Sequence, residues 1–335
     1  MSDAATLLLF VLLLAALAAG WYLGFREGSR RRRRQEATHI RDYLQGMARD
    51  GQGRDAGSLT AIARTLPLNA ENFEAHLSLG ALFRRRGEVG RATELHARLR
   101  HLPGITPDQS DHADFELGRD FFAAGMLDRA ELQFQGLVDR HSQFAQQALR
   151  RLARIYELER DWHSALVVAE RLTAMEPSVS ATAAHYCCEL AEKSLVVGEG
   201  AAARRMLRRA LDFDPACLRA RLGLVEMDLV AGQVDAAIGA LRELLQAQPG
   251  LSTMVRDVLA GWLARLPLPD AGQVLSAEAL LGAALPEHAP PRPAGRYGCD
   301  RCGYQAQSVL WCCPGCHGWG SLRPLPDSQV PGDRS

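Results

Sequence analysis

Residues 117–131 read Leu-Gly-Arg-Asp-Phe-Phe-Ala-Ala-Gly-Met-Leu-Asp-Arg-Ala-Glu, and their spacing decides the fold of most of the chain. Gly118 and Phe121 stand three apart, so on a helix they share one face, a small side chain beside a large one. Gly125 follows where such a helix would end, because glycine accepts the left-handed backbone of a C-cap. Ala130, five residues later, then falls inside a second helix. The spacing predicts two helices joined by a tight turn, with small residues at the point of closest approach and the aromatic filling the space beside it.

The same arrangement recurs along the chain. Ala92, Ala130, Ala165, Ala203 and Ala237 are separated by 38, 35, 38 and 34 residues. Five positions before each stand Gly87, Gly125, Arg160, Gly198 and Gly232, and twelve before each stand Gly80, Gly118, Ala153, Ala191 and Val225. Phe83, Phe121 and Tyr156 follow three later in the first three units, and Pro177, Pro215 and Pro249 close the last three. Proline stops a helix because it lacks an N–H and disfavours helix in the residue before it. A period near 34 is that of tetratricopeptide repeats. Five units are expected between about residues 72 and 249, with a degenerate one before them from Ile40 to Pro67.

Beyond Pro249, Ser252 can cap a helix carrying Val255, Val258, Leu259, Trp262 and Leu266 on one face. A short helix from near Asp270 to near Leu285 is expected to cap the array, so the solenoid spans 40–285. Pro286, Pro290, Pro291 and Pro293 make 286–294 a stiff linker. The fold class is therefore mainly α, and stacked helix pairs of this kind present surfaces that bind peptides or proteins.

Two features flank the solenoid. Ala4–Leu23 carries no charge over twenty residues, which as a helix spans roughly 30 Å, the thickness of a bilayer core. Trp21 and Tyr22 mark its edge, followed by Arg26 and the unbroken run Arg30–Arg34. A cleaved signal peptide is the competing reading, given Ala18-Ala19-Gly20, but a signal peptide carries its positive charge before the apolar run, where this chain has only Asp3. The expectation is a transmembrane helix over 4–24 and a basic juxtamembrane segment over 25–39. Cytoplasmic arginines put the N-terminus outside and the body in the cytoplasm.

At the other end, Cys299, Cys302, Cys313 and Cys316 form two C-x2-C pairs separated by ten residues. Thiolates so spaced can close a tetrahedron around one metal ion. The module is expected over 295–324, with a tail over 325–335. About thirty residues cannot bury a sufficient core alone, whereas structural zinc contributes roughly 10–16 kcal/mol in small peptides. Tyr297, Tyr304, Trp311 and Trp319 should pack over the site or against the solenoid. Cys312 could replace Cys313, but Cys313-Pro314-Gly315-Cys316 keeps the two-residue knuckle, so Cys312 reads as an accessory thiol. Zinc and iron both accept four thiolates. Of the other cysteines, Cys187 and Cys188 are adjacent and cannot pair with normal disulfide geometry, and Cys217 stands alone. A reducing compartment fits this usage.

Composition narrows the function. Over 335 residues the formal net charge is zero, so no overall basic field points to nucleic acid. His76, His96, His112, His163 and His185 are scattered through the repeats without shared acid partners and read as surface or packing residues. No G-x-S-x-G, phosphate-cradling glycine loop or H-E-x-x-H occurs. No catalytic residue is expected, and a non-enzymatic binding protein is favoured. Electron transfer through a rubredoxin-like iron site is the alternative from another class, and a scaffold for a different membrane process is a third reading.

With these residues in view, the chain resembles the lipopolysaccharide assembly protein B family of Gram-negative bacteria. The likeness covers the order of anchor, tetratricopeptide array and rubredoxin-like module. It is closest in His76–Ala92, in Leu117–Glu131 and in Trp311-Cys-Cys-Pro-Gly-Cys316, where the family has histidine at the position of Cys312. The resemblance implies an inner-membrane adaptor for the membrane-anchored AAA+ metalloprotease FtsH. On that reading the protein promotes destruction of the deacetylase that commits precursor to lipid A, and organises other lipopolysaccharide assembly proteins. It also implies Cys299, Cys302, Cys313 and Cys316 as metal ligands, with iron favoured. The stretch between Pro249 and Gly295 is shorter than in the family.

Overall fold

A computed structural model describes residues 66–263, 277–284 and 297–325. The N-terminal apolar run, the arginine run, nearly all of the degenerate first repeat, Leu266, the start of the expected capping helix, the proline linker and most of the tail lie outside those residues. Among the described residues no helix is long and apolar enough to cross a membrane.

The repeats are antiparallel helix pairs: α1 (Phe73–Arg85) with α2 (Val89–Arg100), then α3 (Pro107–Ala123) with α4 (Leu127–Asp139). They continue as α5 (Ala145–Glu159), α6 (Trp162–Thr173), α7 (Ser180–Val196), α8 (Gly200–Phe213), α9 (Leu218–Val230) and α10 (Val234–Ala247). After them come α11 (Ser252–Leu263) and α12 (Ala277–Ala284). The chain divides into two compact units at Ile155/Tyr156, inside α5.

The five turn positions behave alike. Gly87, Gly125, Gly198 and Gly232 have φ of 80°, 73°, 81° and 74°, and Arg160 holds the same left-handed backbone at φ 55°. The turn geometry is thus fixed by the repeat, and in the third unit it is imposed on a residue that disfavours it.

In the first unit, a Cβ on Gly118 would lie 2.7 Å from the Phe134 ring, and one on Gly80 2.3 Å from the His96 ring. Each glycine is therefore a socket for the large side chain four residues beyond the repeat alanine. Thr106 starts α3 with a capping box, its hydroxyl accepting from the Gln109 N–H while the Gln109 side chain accepts from the Thr106 N–H. His96 departs from expectation, because it does have an acid partner. It is fully buried and its Nδ1 meets the Asp120 carboxylate, to which Arg84 also donates at 2.6 Å. These groups come from α2, α3 and α1, and reading one repeat at a time hides contacts between repeats.

In the second unit, Ala165, Ala183, Ala184, Tyr186, Ala203 and Ala220 form one buried cluster. Cys217 belongs to it and is not isolated: its thiol shares a hydrogen bond with that of Cys188, which raises the Cys188 thiol well above its ordinary value and lowers that of Cys217. A second cluster joins Leu222, Val225, Leu241 and Leu245 to Val255 and Leu259 of α11. The same cluster contains Tyr297, Cys299, Cys313 and Leu322. The cysteine module therefore shares a hydrophobic core with the last helix pairs, and that shared core holds it in place.

Candidate metal centre

The module is built on three short antiparallel strands in the order β2-β1-β3: β1 (Tyr297–Cys299), β2 (Gln305–Ala306) and β3 (Leu322–Pro324). β1 carries the first cysteine out of the sheet into a knuckle. There the Gly303 N–H bonds the Cys299 carbonyl at 3.0 Å, and the Cys299 N–H bonds the Tyr304 carbonyl at 2.8 Å. The second knuckle repeats these bonds. The His317 N–H donates to the Cys313 carbonyl at 2.8 Å and the Cys313 N–H to the Gly318 carbonyl at 3.0 Å. Gly303 turns with φ 76°, and its counterpart is His317, not a glycine, at φ 55°. The left-handed residue directly follows the second cysteine in both knuckles.

These two turns bring the four predicted cysteines together. All four sulfurs lie within 4.8 Å of one another, with Cys299 to Cys316 and Cys302 to Cys313 both 3.6 Å apart. A tetrahedron with metal–sulfur bonds of about 2.3 Å has sulfurs about 3.8 Å apart, so the cage fits a zinc- or iron-sized ion. Backbone N–H groups turn toward the sulfurs: those of Arg301 and Cys302 toward Cys299, that of Tyr304 toward Cys302, and that of Gly318 toward Cys316. Such donors favour thiolate over thiol. The hydrogen bond with Ser321 leads in drawing the Cys299 thiol down to about 6. The Tyr304 N–H lowers Cys302, but desolvation and the hydrogen bonds with Cys313, Cys299 and Cys316 outweigh it and push Cys302 up to about 12. Crowded thiols divide in this way because they cannot all ionise without a cation. Cys299 and Cys313 are buried, while Cys302 and Cys316 are exposed. Cys312 takes no place in the cage and forms an isolated β-bridge with Trp319.

The aromatic residues bind the module to the helices. Tyr297 is fully buried and its hydroxyl donates to the Asp257 carboxylate of α11 at 2.6 Å. The Trp319 Nε1–H donates to Glu157 at 2.9 Å, and the Tyr186 hydroxyl donates to the same oxygen at 2.7 Å. Around Trp319 stand Trp162 and Tyr186 edge-on and His185 stacked, with ring centroids 5.4–5.9 Å apart. Trp311 lies against the shared core, with the Arg219 guanidinium 6.0 Å from its ring centre. Tyr304 differs from expectation and is exposed. It stands beside the other knuckle, where a Cβ on Gly315 would lie 3.5 Å from the Tyr304 Cβ. Nothing in the sequence marked Glu157, which lies 162 residues before Trp319. A cleft of about 410 Å³ runs along this seam. Asp214 and Asp300 line it with Arg219, Arg301 and Arg323, so charges of both signs are mixed there.

The sequence has several likenesses among known proteins. A family profile described as rubredoxin metal binding domain matches residues 297–324, and tetratricopeptide repeat profiles match 115–179 and 197–260. Over 394 aligned residues the chain is 28% identical to lipopolysaccharide assembly protein B of Haemophilus influenzae, covering 96% of this chain and 99% of that one. Over 382 residues it is 27% identical to lipopolysaccharide assembly protein B of Escherichia coli K12, covering 95% and 98%. This chain is similar to lipopolysaccharide assembly protein B along nearly its whole length. Both alignments are longer than the chain itself, so these lipopolysaccharide assembly proteins carry residues that it lacks. Among solved structures, a tetratricopeptide repeat protein from Parabacteroides merdae ATCC 43184 aligns with a TM-score of 0.39 at 15% identity, over 75% of this chain and 99% of that one.

Proposed function

We propose that this protein is a non-enzymatic adaptor of lipopolysaccharide synthesis, anchored in the inner membrane by residues 4–24 with its body in the cytoplasm. The observation that carries this reading is likeness to lipopolysaccharide assembly protein B along 95% of the chain or more, from before the repeats through the cysteine module. A likeness confined to the repeats would say only that the protein binds something, since tetratricopeptide arrays serve many processes. The adaptor presents the lipid A-committing deacetylase to the FtsH protease and gathers other assembly proteins. Tethering contributes by raising local concentration at the membrane without adding contacts. Cys299, Cys302, Cys313 and Cys316 ligate one metal ion, with iron favoured over zinc. Either ion supplies folding energy to the module, and iron would add a one-electron couple.

Pulse-chase measurement of the deacetylase in cells with and without the protein tests the reading. Loss of the protein is expected to lengthen the half-life of the deacetylase several-fold, as is replacing Cys299 and Cys302 together by serine. An unchanged half-life on complete removal would reject the adaptor role. Co-purification of the protease and the deacetylase from membranes checks the partners, and elemental analysis of the purified protein decides between iron and zinc.

A further inference from the structure

The cleft between the cysteine module and the helices encloses about 410 Å³, the size of a small-molecule site. One wall comes from the helices. Ala181, Leu218 and Met254 line it, which sets the first turns of α7, α9 and α11 along the cleft, and helix N-termini carry partial positive charge. The other wall comes from the module, where Trp311 and Trp319 supply aromatic surface. Two lining side chains, Arg219 at 6% exposed and His185 at 7%, are more than nine-tenths buried. The Arg219 Nη2 donates to Glu189 at 2.8 Å and to Glu192 at 2.7 Å, and its guanidinium carbon stands 6.0 Å from the Trp311 ring centre. Its Nη1 is buried without a partner among the described residues, as is the His185 Nδ1. A buried donor left unmade costs stability unless something accepts from it. The lining itself carries Arg219, Arg301 and Arg323 against Asp214 and Asp300, one positive charge in excess. Asp214 already accepts the Ala216 N–H at 2.9 Å, while Arg301 and Arg323 form no ion pair among the described residues. Glu189 and Glu192 do not line the cleft, and solvent screens Glu192, whose side chain is 59% exposed. Such a balance suits one negative charge and not two.

We propose that this cleft binds a small aromatic monocarboxylic acid, its ring against the tryptophans and its carboxylate accepting from the Arg219 Nη1. A guanidinium fork held in place by other carboxylates is well suited to take one more oxygen, and flat rings pack favourably on indole. The inference goes beyond the adaptor reading and does not rest on it.

The test is isothermal titration calorimetry on the full chain in dodecyl maltoside, with a detergent-only titration subtracted. The probes are 2-naphthoate, the neutral 2-naphthamide and the doubly charged 2-naphthyl phosphate. The acid is expected to bind at least about tenfold more tightly than either of the others. Ala181 is exposed where it lines the cleft, so Ala181→Trp fills the space without touching a polar group and should abolish binding. Arg219→Lys keeps the charge that faces Glu189 and Glu192 but removes the Nη1 donor, so it should weaken 2-naphthoate at least about fivefold. Arg208→Gln, at an exposed site on α8, should change nothing. Equal affinity for acid and amide, or tighter binding of the phosphate, would overturn the assignment. So would 2-naphthoate binding that survives Ala181→Trp. If Arg219→Lys melts well below the parent protein, Arg323→Gln, at an exposed position of the module wall, takes its place, and an unchanged affinity there would overturn the site. No envelope protein enters the titration, so its failure would leave the adaptor role standing.

Discussion

His185 is buried face to face with Trp319, and burial first, then Arg219 and Arg323, lowers it to about 3. Its ring must therefore be neutral while the module is docked. An unfolded chain takes up a proton near pH 6.5, whereas the folded chain refuses it until about 3. The unfolded state binds more protons throughout that window, so stability is full above 6.5 and falls as pH drops, by up to about 1.4 kcal/mol per pH unit. Urea unfolding followed by tryptophan fluorescence between pH 4 and 7 should show this slope. His185→Phe keeps an aromatic ring for the stack and removes the buried Nδ1 that has no partner, so it should flatten the slope by one proton. An identical slope in the variant would place the titration elsewhere. The sequence offered His185 as a packing residue, and so it is. Its pairing with Trp319, more than a hundred positions away, was invisible, because no local pattern records which aromatic residue will cross a domain seam.

The repeat turns and the two knuckles use one device, a left-handed residue that redirects the chain. Its clearest test is Arg160, the non-glycine member among the five repeat turns at φ 55°. Arg160→Gly should stabilise the protein by about 1 kcal/mol, because the Cβ strain at such a position exceeds the added entropy of glycine. Denaturant melts of the variant would show no gain if the turn were relaxed already. The sockets behave in the opposite sense. Gly118→Ala would place a methyl 2.7 Å from the Phe134 ring, which should cost about 1–3 kcal/mol by overpacking. Trimming the partner with Phe134→Leu should restore part of that loss, and independent, additive effects of the two changes would contradict the socket. The glycines were readable as small positions in the repeat. That Gly80 holds a histidine, tied onward to Asp120 and Arg84, was not, since the bonds run between repeats and not within one.

At the scale of the molecule, the cysteine module is both a candidate metal cage and part of the second unit's core. Tyr297, Cys299, Cys313 and Leu322 stand in the same cluster as Leu222, Leu241 and Val255, so loss of the ion should be felt well beyond the cysteines. Treatment with a strong chelator should increase hydrogen exchange in 297–325 and in α9–α11 by at least about tenfold, while the α1–α4 amides of the first unit stay protected. Exchange confined to 297–325 would mean that the module is an independent appendage. Cys299→Ser should give the same pattern without chelator, with metal content falling from about one ion per chain toward zero.

Residue order alone fixed the helix pairs, their turns and the meeting of the four cysteines, because each depends on groups close together in the chain. A period near 34 sets the pairs, and backbone bonds within a few residues form each knuckle. Tertiary structure alone decided the rest: Glu157 receiving Trp319 and Tyr186, Tyr297 reaching Asp257, Cys217 meeting Cys188, and His96 meeting Asp120. Those outcomes depend on how one helix pair stacks upon another, and stacking is set by side-chain volumes and charges that meet only once the chain has folded.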